Sequence, residues 1–423
     1  MKKSTFPLEI ELGMRYYASD IPGIGGRLRT VPEDFRVDEI PLEGKGGSVG
    51  PYLICTLEKT NWELQHAVKE IAKCLGISHR RIGWAGTKDR NAVTRQRISI
   101  YNVTHEQVAG IHLKDIVLTP VGQSNEALRL GDLAGNRFAI AIRDTESADL
   151  AGHAGATART IAEGVPNYFG LQRFGAIRPV THTVGEWILR GDYEQAVMTY
   201  IGMEFPNEPE NIKTIRSAFR SGSDAGEALR SLPVQMNYER AMLHYLYSHP
   251  GDYAGALHEL PPKLLSMFVS AFQSYIFNCA LSGRLDDGHT LTDPVAGDRL
   301  LFANGRTDVV TAAGIPAAGI HIRRGRCSIA LFMPGRDQTG SPVTDPVTEA
   351  LLADRKITPA DFARASSFVQ TKFDGAFRPV ALRADVNART EEKTLFLDFT
   401  LPPGHYATTV CREYMKADPV KMI

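Results

Sequence analysis

The chain has 423 residues, enough for two or three domains and a large core. Its 48 Lys and Arg match its 48 Asp and Glu, which excludes a surface coated in one sign of charge but not a local basic groove. Charged residues make up 23 %, near the soluble average, which argues against a largely disordered chain.

Cys55, Cys74, Cys279, Cys327 and Cys411 are scattered, with no CxxC and no zinc-like Cys/His spacing. Such sparse use fits a reducing compartment. Met1-Lys2-Lys3 is followed by mixed sequence rather than the apolar core of a signal peptide, and no run reads as long enough to span a bilayer. A cytoplasmic protein with no membrane contact is expected.

In chain order, Gly25-Gly26 opens a short strand through 27–31. Residues 32–40 then read as extended, with Phe35, Val37 and Glu39 on one face. Residues 52–57 read as a buried strand. Thr60 and Glu63 have capping-box spacing before a helix whose Leu64, Val68, Ile71 and Leu75 repeat near 3.6, and Gly76 is a natural stop. A short strand near 82–85 and an alternating one through 97–100 bracket a loop. Thr104 and Gln107 cap a short helix, 116–118 and 139–142 read as strands, and a helix is expected over 151–161, ending at Gly164.

The loop and the end of the strand before it read Gly83-Trp84-Ala85-Gly86-Thr87-Lys88-Asp89-Arg90-Asn91-Ala92-Val93-Thr94-Arg95-Gln96. One carboxylate, Asp89, stands among Arg80, Arg81, Lys88, Arg90, Arg95 and Arg97. Small residues before it let the backbone turn tightly, and the cations would hold an anionic polymer against it. From the residues alone two readings stand: a turn in which Asp89 pairs with a nearby cation, and an acid placed to attack a nucleic acid. Gly86-Thr87-Lys88 lacks the GxxxxGK[ST] spacing of a nucleotide loop.

Farther on, 166–175 crowds Asn167, Tyr168, Phe169, Gln172, Arg173 and Phe174 between glycines. That composition suits stacking on a splayed base, or equally a turn whose aromatics plug the core. From about Thr181 helices dominate, at 187–189, 193–200, 238–247 and 263–281, separated by Pro206, Pro209, Pro250 and Pro261. Short strands are expected at 300–302 and 309–311, and Arg323-Arg324-Gly325-Arg326 is a basic cluster. Beyond Gly375 strands return at 380–383 and 394–399. A Pro402-Pro403-Gly404 turn and a helix over 409–416 follow.

Ala85 to Gln96 resembles the active-site motif of the TruD-type pseudouridine synthases. Other segments are similar to that family's motifs in the same order: Pro32-Glu33-Asp34-Phe35, Gly135-Asn136-Arg137-Phe138, 167–175, 271–278 and 401–408 with Arg412-Glu413. The resemblance implies an α+β fold: a catalytic domain, 1–180 and 373–423, around a mixed, largely antiparallel sheet, with a mainly helical domain, 181–372, inserted. It implies isomerisation of uridine to pseudouridine in tRNA, at position 13 of the D arm, by a monomer with no cofactor, metal or protein partner. Asp89 falls on the catalytic aspartate. Phe35 and Phe169 would wall the pocket, Asn167 would bond the loop or the base, and Arg29 and Lys88 are the candidate cations beside Asp89. Arg29 stands where the family often has lysine, and Cys411 where an apolar residue is usual. A non-catalytic RNA-binding protein on the same fold is the alternative.

Overall fold

The computed structural model describes residues 1–42, 49–222, 224–337 and 345–422. Two compact units share the chain: Ala18–Val165 with Leu382–Ile423, and Met1–Tyr17 with Pro166–Ala381. Their limits differ from the sequence domains expected from the resemblance.

The first unit is built on a sheet of nine strands. The order is Asn387–Glu391, Thr394–Leu401, Leu133–Thr145, Phe35–Pro41, Val93–Tyr101, Tyr52–Thr60, Ile116–Ser124; Gly25–Arg27 adds to Leu133–Thr145 and Ile82–Trp84 to Val93–Tyr101. Phe35–Pro41 and Val93–Tyr101 run parallel, with Arg36 opposite Val93 and Asp38 opposite Arg95, while the other pairs in this sheet are antiparallel. Period-two alternation buries Phe35 and Val37 with Phe138, Ile140, Phe399 and the Val410–Tyr414 side of the helix Ala407–Met415. A second cluster joins Leu53, Cys55, Leu57, Ile98 and Ile100 to Leu64, Val68 and Ile71 of the helix Leu64–Cys74.

Two local expectations are corrected here. The strand expected through Val31 stops at Arg27, because Arg29 takes a left-handed backbone (φ 56°) and the Leu28 N–H turns to the Lys421 carbonyl at 3.1 Å. Thr60 does not cap the helix. It completes the strand opposite Val93, and Glu63 caps instead by accepting from the His66 N–H at 2.8 Å. The hairpin strand Asn387–Glu391, with little apolar content, had no recognisable pattern.

The second unit packs helices around Val184, Ile188, Phe268, Phe272, Ile276 and Phe362. Its longest helix, Pro262–Asp286, has 25 residues and is apolar enough by length and composition to cross a bilayer, which corrects the expectation that no run could. Two thirds of its most apolar window is buried, the state of a core helix. It lies hard against Thr181–Arg190: a Cβ on Gly185 would come within 2.0 Å of the Phe268 carbonyl oxygen. A four-stranded sheet orders Thr307–Val309, Arg299–Phe302, Cys327–Met333 and Ala376–Pro379. The strand expected at 309–311 is thus two residues earlier, and Cys327–Met333 went unforeseen. The overall class is α+β.

Candidate active site

Asp89 lies on the loop 85–92 between the strands Ile82–Trp84 and Val93–Tyr101. Neighbouring groups fix this loop at Ala85, Gly86, Lys88, Asp89 and Ala92. The Ala85 carbonyl accepts from the Gly131 N–H at 2.9 Å, and the Gly86 carbonyl from Gln96 Nε2 at 2.9 Å. Lys88 Nζ meets Glu39 Oε2 at 2.6 Å in a buried ion pair, while Glu39 Oε1 accepts from the Arg97 N–H at 3.1 Å. The Asp89 carbonyl accepts from Lys59 Nζ at 2.8 Å, and the Ala92 carbonyl from the Asn61 N–H at 3.1 Å. A Cβ on Gly86 would stand 2.7 Å from Lys88 Nζ, so a larger residue there would have to displace the end of that lysine.

The Asp89 side chain itself is 48 % exposed, and its Oδ2 accepts from Arg29 Nη2 at 2.8 Å. Arg29 is the reverse case, with a side chain only 4 % exposed. Its guanidinium carbon stands 4.0 Å from the centre of the Phe35 ring, and Nη1 donates to the Met422 carbonyl at 3.3 Å. Phe35 in turn meets Phe138 edge to face at 6.3 Å. A planar cation stacked on an aromatic face is oriented as well as charged. Of the two candidate cations, Arg29 makes the contact with Asp89, and Lys88 is spent on Glu39. The left-handed backbone at Arg29, which costs about 1–3 kcal/mol for a residue with a side chain, aims the guanidinium across the turn. Arg36, Arg80, Arg90 and Arg95 are exposed in this unit.

Asn167 and Phe169 belong to the second unit. Asn167 is wholly buried. Its Nδ2 donates to the Pro379 carbonyl at 2.9 Å, and its Oδ1 accepts from Arg378 Nη2 at 2.9 Å. Phe169 is 6 % exposed, with the Arg378 guanidinium carbon 3.9 Å from its ring centre and Phe277 edge-on at 5.7 Å. Asn278 clamps the Phe169 main chain from both sides, accepting from its N–H at 2.9 Å and donating to its carbonyl at 3.0 Å.

Three residues in these arrangements escaped the sequence reading: Lys59, Arg378 and Glu39 as a buried ion-pair partner. Lys59 left a trace, since the alternation Leu53, Cys55, Leu57 puts it on a buried face. Arg378 left none. Among the described residues no three His, Cys, Asp or Glu side chains gather as a metal would need.

The family model for tRNA pseudouridine synthase D (TruD) matches residues 11–414. A Methanococcoides burtonii protein named "Probable tRNA pseudouridine synthase D" is 40 % identical over 434 residues, covering 98 % of each chain. One of the same name from Halobacterium salinarum is 36 % identical over 446 residues, covering 99 % of this chain and 100 % of its own. A solved structure from Methanosarcina mazei with the provisional name tRNA pseudouridine synthase D (TruD) superposes with a TM-score of 0.80 at 36 % identity, over 99 % of this chain and 100 % of that one. These likenesses define the class: an isomerase that converts uridine to pseudouridine. The chain belongs to the TruD family of tRNA pseudouridine synthases.

Proposed function

We propose that the chain isomerises the uridine at position 13 in the D arm of tRNA and that Asp89 is the acting carboxylate. The observation that carries this is the contrast within one ion pair: a half-exposed carboxylate held by a buried, stacked guanidinium on a loop fixed at successive residues. Catalysis needs such fixing, because a reactive group displaced by an ångström loses much of its effect.

In the reaction the N1–C1′ glycosidic bond breaks, the uracil turns, and C5 bonds to C1′ while the C5 proton leaves to solvent and N1 takes up a proton. No atom is gained or lost. Asp89 would act on the sugar, as nucleophile at C1′ or as base. The target must leave its stack, at a cost of about a few kcal/mol that aromatic stacking offsets. Phe35, Phe169 and Asn167 keep the roles the resemblance implies as part of this proposal, Lys88 serves as an anchor of the Asp89 loop, and monomeric action in the cytoplasm belongs to it too.

The test is tRNA carrying tritium at uracil C5. Wild type should release label and leave pseudouridine at position 13; Asp89→Asn should bind tRNA and release none. Tight binding without release by the wild type would favour the non-catalytic RNA-binding alternative.

A further inference from the structure

Lys59 ends the run of buried positions in Tyr52–Thr60 and has no exposed surface. Its ammonium donates to two main-chain oxygens, the Trp62 carbonyl at 2.7 Å and the Asp89 carbonyl at 2.8 Å. No carboxylate among the described residues pairs with it directly. A cation so placed is costly, and an apolar side chain would be the ordinary occupant of this face. Charge reaches it from Asp89 and Lys88 on the loop and from Glu63 at the helix start, while its cross-strand neighbours Thr94 and Ile116 carry none. Burial lowers the ammonium, Asp89 and Glu63 oppose that, and Lys88 adds to the depression, which leaves it at about 8.

We infer that Lys59 is a positioning residue for the isomerase: its ammonium ties the main chain of Asp89 to that of Trp62 and so sets where the Asp89 carboxylate stands. The inference rests on the reading of Asp89 given above. Arg29 holds the acid by its carboxylate, and Lys59 holds it by its backbone, from the opposite end of the residue. Bonds from a charged donor are roughly twice as strong as those from a neutral one, so the tie slackens when the ammonium loses its proton.

The experiment compares wild type, Lys59→Met and Lys59→Arg by single-turnover pseudouridine formation on saturating tRNA, from about pH 6 to about pH 10. Wild type should slow as pH rises through about 8. At neutral pH Lys59→Met should be slower by about ten- to a hundredfold, with tRNA affinity within about threefold, and should lack the alkaline decline. Lys59→Arg should lack it too, since a guanidinium does not titrate there. A merely structural lysine would leave the shape of the profile unchanged in both variants. Lys59→Met turning over at the wild-type rate, or either variant keeping the alkaline limb, overturns the inference. If neither variant folds, a wild-type rate flat across that whole pH range overturns it. Wild type making no pseudouridine at any pH removes the synthase reading and this inference together, whereas active wild type with unaltered variants removes the inference alone.

Discussion

The loop of Asp89 and the stretch from Asn167 to Phe169, one in each unit, bring candidate residues to fixed positions by different physics. Around Asp89 the fixing groups are charges: Lys88 on Glu39, Lys59 on two carbonyls, Arg29 on the acid itself. They are buried, and the group they fix has about half its surface in solvent. Around Phe169 an amide, a guanidinium and a second ring hold the aromatic, and the held group is itself buried. The first device leaves a carboxylate half exposed; the second encloses a ring. Substitution of the half-exposed Asp89 should change rate more than stability, and substitutions around Phe169 the reverse.

The largest break of that pattern would come from Asp89→Asn. Turnover should fall about 10⁴-fold or more with Tm almost unmoved, because half the side chain is already in water. Phe169→Ala should show the opposite profile. Emptying a buried aromatic site costs about 3–5 kcal/mol, read as a lowered denaturant midpoint, so placement of the base is better probed with Phe169→Leu. Normal stability of Phe169→Ala would show that the ring does not carry the packing described.

A third comparison is by pH. His182 of the second unit lies stacked on Tyr275 at 4.9 Å, and its Nδ1 has no hydrogen-bond partner among the described residues. Burial, then Arg355, lowers it to about 4 from 6.5. The unfolded chain therefore takes up the proton first. Stability from this group is complete above about 6.5 and is lost as pH falls toward 4, by about 3 kcal/mol across that window. His182→Phe should flatten the slope in urea midpoints measured through it. For Lys59 the dependence on pH has the same sign. Its folded value lies below that of the unfolded chain, so wild type should gain stability relative to Lys59→Met as pH rises from about 8 toward 10.5, while its turnover declines.

The smallest effect sharpens the contrast inside the ion pair. Arg29→Met should slow turnover by about ten- to a hundredfold, the worth of a charge-assisted bond. Arg29→Lys should recover part of it, since the charge survives and the planar stacking on Phe35 does not. Equal rates for the two variants would show that charge alone is not what Arg29 contributes.

Local order set much of what could be read from one dimension. Alternation marked Phe35 and Val37, the 3.6 repeat marked the helix Leu64–Cys74, and Thr104 with Gln107 made the capping box as expected. The acid among cations marked the Asp89 loop, because both its small residues and its charges are consecutive in the chain. Period and spacing are properties of neighbours, so the sequence by itself determined these elements, while the α+β class came through the resemblance of its motifs to the TruD family.

What the sequence left undecided were the partnerships. Arg29 and Asp89 are sixty positions apart, and Arg378 reaches Asn167 across 211. Lys88 looked as good a partner for Asp89 as Arg29 until Glu39 claimed it. A charge in a chain has many possible mates, and only the sheet register and the burial it imposes leave each with the one that repays its desolvation.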